Sequence, residues 1–245
     1  MYLITLRRIV CFKRKQIAMD THAKHLIKQI NQHANEAKSD WWNRHLHNAI
    51  QFAGVTMPQL KSIVREWKKE NPLTVKEYLE VADLMLSKEI AEYKIAGILI
   101  YQKCIIGKIE DKVVLYHVEM LFNDNLIYDK FTCSKLAQIV IAALINDGNP
   151  DIIDQIIDWS ASENIWLSRC AMLGFANCKE LKQHHHILDA SMRLNIKRED
   201  ALHKTAVAEV LRKIALFDPI WVGQFVDAKQ IYITPEVKKI AFKLR

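Results

Sequence analysis

Apolar residues recur at helical spacing along almost the whole chain. Leu60, Ile63, Val64 and Trp67 make one stripe. Ile152, Ile153, Ile156 and Ile157, continued by Ser160, make a second, and Val207, Val210, Leu211 and Ile214 a third. Spacing of i, i+3, i+4, i+7 predicts amphipathic helices that each turn one face to a core. Prolines punctuate the pattern: Pro58, Pro72, Pro150, Pro219 and Pro235 each stand in or beside a predicted helix start, where a missing N–H does little harm. This punctuation divides the chain into roughly a dozen helices of ordinary length. Lys112–Val118 could alternate as a strand, but the helical segments on either side tip it toward helix. Gln230–Thr234 reads as a short extended link.

Several helix pairs share a plan. One helix follows Asn, Asp or Pro and carries aliphatics; the next adds small residues, as in Lys94-Ile-Ala-Gly-Ile-Leu-Ile-Tyr101 and Thr205-Ala-Val-Ala-Glu-Val-Leu211. Small residues let helices approach closely, and stacked pairs bury a continuous core while leaving one concave surface. The predicted class is therefore all-α, a solenoid of repeated helix pairs with a concave face, ahead of a globular bundle. The chain's scarcity of turn formers, six glycines and five prolines, agrees with helices rather than tight hairpins.

Composition and charge change this picture only a little. The net charge of +7 suggests an anionic partner, yet Arg7, Arg8, Lys13, Arg14 and Lys15 supply +5 of it within residues 1–18, where no acid occurs. Any footprint for an anion must then be a local patch. Residues 1–18 read as a basic extension, poorly ordered or outside the fold, and 19–245 as a single repeat domain. The paired arginines and the Lys13-Arg14-Lys15 run argue against a signal peptide. No run of about 18 apolar residues appears, so no membrane span is expected. Cys11, Cys104, Cys133, Cys170 and Cys178 are odd in number and form no Cys-x-x-Cys pair. They read as buried reduced thiols in a cytoplasmic protein rather than a zinc site or disulfide framework.

Three stretches carry a resemblance. Phe52-Ala-Gly-Val-Thr-Met-Pro58 is similar to an apolar-Gly-Val-x-x-Pro junction between early helices. Ser162-Glu-Asn-Ile-Trp-Leu-Ser-Arg-Cys-Ala-Met172 is very close to an Asn-x-Trp-x-x-Arg-x-Ala helix start. Lys204-Thr-Ala-Val-Ala-Glu-Val-Leu-Arg-Lys213 is similar to a Lys-Ala-x-x-Trp-x-Leu-Arg helix. Together, in this order and spacing, they resemble the AlkD-like DNA alkylation repair family, the HEAT-like alkylpurine DNA glycosylases, over about Met19 to Arg245. The middle motif is the most specific. Ser162 or Asn164 can cap its helix, and Glu163 suits the positive end. Trp166 reads as core packing. Arg169 stands near a helix start, against the dipole, which favours an anionic partner; the resemblance implies a contact to the DNA backbone, and a salt bridge to a neighbouring repeat is the plainer alternative.

The resemblance also implies a cleft of two tryptophans and an aspartate. There the carboxylate stabilises the sugar cation formed as the N-glycosidic bond breaks, and the rings contact the cationic base. Aligned without gaps back from Arg169, this chain keeps Asp129 as the leading acid. It has Lys130 at the first tryptophan, Ser134 at the catalytic aspartate and Glu209 at the second tryptophan. A two-residue shift brings Tyr128 and Thr132 there instead, still without an aspartate, and breaks the apolar register of Leu136, Val140, Ile141 and Leu144. A carboxylate about 4 Å from a cation contributes on the order of 4 kcal/mol at an effective dielectric near 20, roughly a thousandfold in rate. Ser134 cannot supply that charge, and Lys130 repels a cationic base. Glu209 could offer a carboxylate from another repeat, or could simply pair with Lys130.

The remaining constellations are weaker. His184, His185 and His186 project about 100° apart on a helix and cannot all face one ion, so a solvated face is expected. Trp41 and Trp42 should divide between surface and core. Arg169, Lys204, Arg212 and Lys213 are the expected phosphate contacts, giving salt-dependent affinity without sequence specificity. The reading that follows is a monomeric protein binding double-stranded DNA, damaged or intact, with no metal, cofactor or membrane, and with the usual Trp/Asp glycosylase pocket not preserved. An active glycosylase with a changed pocket and a protein–protein scaffold are the alternatives.

Overall fold

The computed structural model describes residues 18–242. The basic segment expected as an extension lies, apart from its last residue, outside the described residues. Two compact units divide at Ile109/Glu110 and are described separately. Among the described residues all regular structure is helical, with one isolated bridge between Gln51 and Ile90.

The first unit begins with α1 (residues 18–31), whose Met19, Ala23, Leu26 and Ile30 form its buried stripe. It continues with α2 (Glu36–His45), α3 (Met57–Glu70), α4 (Val75–Leu86) and α5 (Ala91–Ile100), which runs into a wide π turn at Tyr101–Ile105. The predicted stripe Leu60, Ile63, Val64 and Trp67 is the buried face of α3. Trp67 is fully buried, and its Nε1 donates to the His22 carbonyl of α1 at 3.3 Å. Trp41 is exposed as expected, while Trp42 does not enter the core: it is half-buried and stacks on Phe52.

The Phe52–Pro58 stretch owes its form to a buried anion. Glu92 of α5 accepts from Ala53 N–H through Oε2 at 2.8 Å, and from Gly54 and Val55 N–H through Oε1 at 2.9 and 3.0 Å. Three charge-assisted bonds hold a carboxylate that would otherwise be costly to bury. Gly54 sits at φ +81°, and a Cβ there would stand 2.1 Å from the Asn35 carbonyl oxygen. Thr56 and Gln59 then form a capping box that starts α3, with Pro58 in its first turn.

The second unit contains α6 (Asp111–Asn123), α7 (Lys130–Leu136), a π turn (Ala137–Ile141), α8 (Ala142–Asp147), α9 (Pro150–Ser160), α10 (Ile165–Asn177), α11 (Leu181–Asn195), α12 (Ala201–Ile214), α13 (Pro219–Ala228) and α14 (Pro235–Ala241). Lys112–Val118 lies in helix α6. The extended link expected at Gln230–Thr234 is instead a 3₁₀ turn at Gln230–Tyr232, bridging the short gap between α13 and the Thr234 cap of α14. Within this unit the helices pack as repeated pairs in two rows. One row runs α6, α9, α11; the other runs from α7 and its π turn through α10 and α12 to α14. Pairs α9–α10 and α11–α12 tie the rows together. This is a helical-repeat arrangement in which each pair buries its apolar faces against the next.

Caps account for most of the helix starts. Asn149, Asn164, Asp200, Asp218 and Thr234 each accept a backbone N–H of the following first turn. Neighbours within the second row approach closely at Gly174 of α10, where a Cβ would come within 2.4 Å of Ile141 Cγ2 in the π turn. Cys104, Cys133, Cys170 and Cys178 are buried and free. Burial raises the Cys104 and Cys170 thiols and pushes Cys178 up to about 11, which keeps them protonated. No helix among the described residues is long and apolar enough to cross a membrane.

Gly54→Ala combines a left-handed φ with a backbone overlap. It should lower stability by on the order of 2 kcal/mol or more, read as a shift of the urea midpoint. An unchanged midpoint would mean that the Asn35–Gly54 approach is slack.

Candidate functional site

The site expected from sequence lies wholly in the second unit, at the starts of α7 and α10 and along α12 from Lys204 to its last turn at Arg212 and Lys213. Its scaffold is polar and buried. Ser162 Oγ accepts from Asn164 N–H at 3.1 Å, and Asn164 Oδ1 accepts from Trp166 and Leu167 N–H at 3.0 and 3.2 Å. Ser168 Oγ donates to the Ser160 carbonyl at 2.8 Å, and Asn195 Nδ2 donates to the same carbonyl at 2.7 Å. These bonds join the end of α9 to α10 and α11, so the first turn of α10 has one position relative to its neighbours.

Sequence reasoning missed Arg198. Its Nη1 donates to the Ser162 carbonyl at 2.7 Å, and its Nη2 to the Ala161 carbonyl at 3.0 Å and to Glu163 at 3.1 Å. Nη1 also meets His203 Nε2 at 2.7 Å, and His203 Nδ1 bonds to Asp200. Asp200 caps α12, and although burial opposes its ionisation, bonds from His203 hold it below the usual carboxylate range. Arg198 therefore clasps the α9–α10 turn to the start of α12. Nothing local marks it, because its partners lie some 35 residues upstream.

Arg169 is 7% exposed. Its Nη1 donates to the Leu202 carbonyl at 2.9 Å and to Thr205 Oγ1 at 3.1 Å, both on α12, while its buried Nε has no protein acceptor. Burial lowers the guanidinium from its ordinary value, and Cys133, Glu209 and Cys170 oppose that shift. Arginine stays charged in such surroundings. The cation is thus held mainly by neutral dipoles, with the Glu209 carboxylate near but outside ion-pair distance.

Of the other predicted residues, Glu209 and Arg212 come together. Arg212 Nη2 donates to Glu209 Oε2 at 2.8 Å, with 26% and 35% of the two side chains exposed. The Lys130 partner considered for Glu209 is not the one it takes. An i,i+3 neighbour on its own helix is closer than a lysine on α7. Lys130 is exposed and has no ion pair among the described residues; Ser134, one turn on, is half-buried. Between them Cys133 points inward and donates its thiol to the Trp166 carbonyl at 3.5 Å. Trp166 itself is half-buried rather than in the core. Asp129 is buried and caps α7 through Thr132 N–H at 2.8 Å, a structural use of that acid.

On α12, steps of about 100° per residue place Thr205, Glu209 and Arg212 along one face. Lys204 and Lys213 flank that face on opposite sides, about 180° apart, and both are half-exposed. Arg169, Glu209 and Arg212 therefore form one cluster, while the two lysines do not share a surface with each other. The three histidines of α11 do not make a solvated face either. His185 is buried against Phe217 and Trp221, His184 is part-buried, and His186 is exposed. No group of three metal-ligating side chains is placed to hold an ion among the described residues.

A row of helix pairs carrying a buried arginine at one helix start, flanked by a half-exposed Glu–Arg pair, defines an all-α repeat protein with a cationic site. Residues 26–244 match the family model described as DNA alkylation repair enzyme, and the chain belongs to that family. A solved structure described as a predicted DNA alkylation repair enzyme from Enterococcus faecalis shares the fold, with a TM-score of 0.71 at 15% identity over 86% of this chain and 95% of that one. No curated protein matches.

Arg169→Ala removes the donors to Leu202 and Thr205 from a buried seam. It should lower stability by about 2 kcal/mol, measured by chemical denaturation. A loss within about 0.5 kcal/mol, the range of an ordinary surface change, would show that Arg169 does not fix α12.

Proposed function

We propose that this chain is a DNA-binding, HEAT-like member of the DNA alkylation repair family that grips duplex phosphates without the family's usual Trp/Asp base-excision pocket. The observation that carries this reading is the charge at the start of α7. An exposed, unpaired Lys130 and a half-buried Ser134 stand where the resemblance calls for a tryptophan and an aspartate. A cationic alkylated base would meet a lysine there and no carboxylate. Supplying neither the ring nor the charge forgoes on the order of 4 kcal/mol of transition-state stabilisation.

The same surroundings suit a phosphodiester. Arg212 is half-exposed on the face of α12 that carries Thr205, with half-exposed Lys204 and Lys213 on its two flanks, and the buried Arg169 bonds to Thr205. Such side chains contribute affinity through release of counterions and read no sequence. Glu209 supports the glycosylase alternative poorly, because Arg212 already neutralises its carboxylate.

Two measurements test this. Duplex affinity should fall linearly with salt on logarithmic axes, with a slope of several units for several phosphate contacts. A slope near zero would leave a protein–protein scaffold. Incubated with methylated duplex, the protein should release 7-methylguanine no faster than a protein-free control. Release well above that background would establish an active pocket.

A further inference from the structure

We infer that Glu209 is a built-in competitor for DNA: it occupies Arg212 in the unbound protein, and a duplex phosphodiester displaces it to take Arg212, with the buried Arg169 adding its charge to the same face of α12. This deepens, and rests on, the duplex-binding reading above.

The geometry of Arg212 is the starting point. A guanidinium best meets an anion side-on, with two parallel N–H donors on two oxygens. Glu209 takes only one of them, through Nη2, and leaves Arg212 Nε buried with no acceptor. The two residues are one helical turn apart, a spacing that brings the side chains together but does not align a fork with a carboxylate. The pair is also open to solvent along about a quarter to a third of its side chains. An incoming phosphodiester can therefore reach it, and its two non-bridging oxygens can satisfy both donors at once.

Arg169 explains why the exchange matters. Its Nη1 is committed to Leu202 and Thr205, so it is fixed in place and cannot move toward a ligand. Arg212 is the movable member of the two. Glu209 is the carboxylate whose charge reaches Arg169 as well. With Glu209 in place the cluster carries a net charge of +1 toward a phosphate. With it neutralised, the same cluster carries +2. The acid thus weakens binding twice, by holding Arg212 and by repelling the incoming anion.

The test uses the full chain and a plain duplex of unmodified sequence. Four proteins are titrated across a salt series: wild type, Glu209→Gln, Arg212→Gln and the double variant. Glutamine keeps the shape of Glu209 and removes its charge. The expected result is that Glu209→Gln tightens duplex binding about tenfold at low salt while the logarithmic salt slope stays the same, since the phosphate reaches Arg212 in both proteins. Arg212→Gln alone should weaken binding several-fold and lower the slope by about one unit, since it removes that contact. In the double variant the gain from Glu209→Gln should shrink to the part due to repulsion, a non-additivity that only coupled groups show. Unchanged binding by Glu209→Gln overturns the inference, and so does a gain that is as large without Arg212. If wild type binds duplex in either case, the DNA reading stands while the competitor role falls. If none of the four binds duplex, the DNA reading itself fails.

Discussion

A guanidinium buried in a helical repeat constrains everything packed around it. Arg169 gives up most of its hydration, and that loss must be offset by fixed dipoles or by an opposite charge. Here a backbone carbonyl and a hydroxyl of α12 provide the dipoles, so α12 is held in one register against α10. Once Thr205 faces Arg169, helical geometry places Glu209 and Arg212 on the same face, one and two turns further along. The charge layout of the candidate interface is therefore a consequence of one buried cation. Arg198 secures the same start of α12 as well, closing the α9–α10 turn onto it.

Features that depend on near neighbours in the chain were legible in the sequence. The apolar stripes of α3, α9 and α12, the cap at Asn164, and the prolines at helix starts are decided within a turn or two. The family resemblance was legible for the same reason, because its motifs are short and continuous. What could not be read was set by partners far away. The burial of Arg169 depends on a carbonyl 33 residues downstream. His185 is buried because Phe217 and Trp221 arrive from beyond α12. The wide turn at Ala137–Ile141 leaves no mark in the apolar pattern; it belongs to the close approach between Ile141 and Gly174.

The first unit shows the same logic with the opposite sign of charge. The Phe52–Pro58 stretch reads as a motif, yet its form answers a structural demand. Glu92 must be buried, three consecutive N–H groups surround it, and only a residue without a side chain fits between that carboxylate and the Asn35 carbonyl. A motif shared across a family can thus mark a folding constraint as readily as a chemical one. Such a motif supports membership and fold, and says nothing about catalysis.

That distinction bears on how a repeat protein can change its chemistry while keeping its frame. The groups that hold α7, α10 and α12 together are Asp129, Asn164, Arg169, Arg198 and Asp200, and each is engaged by backbone or buried partners. Lys130, Ser134, Glu209 and Arg212 instead project where they are at least partly exposed, so altering them leaves the scaffold bonds intact. Exposed positions on a rigid frame are free to exchange a ring for a lysine or an acid for a hydroxyl at little cost in stability. The electrostatic result is not neutral, however. In the function proposed above, a lysine and a hydroxyl in place of a ring and an acid favour an anionic backbone over a cationic base. In the same proposal Glu209 is the one acid that moderates how tightly that backbone is held.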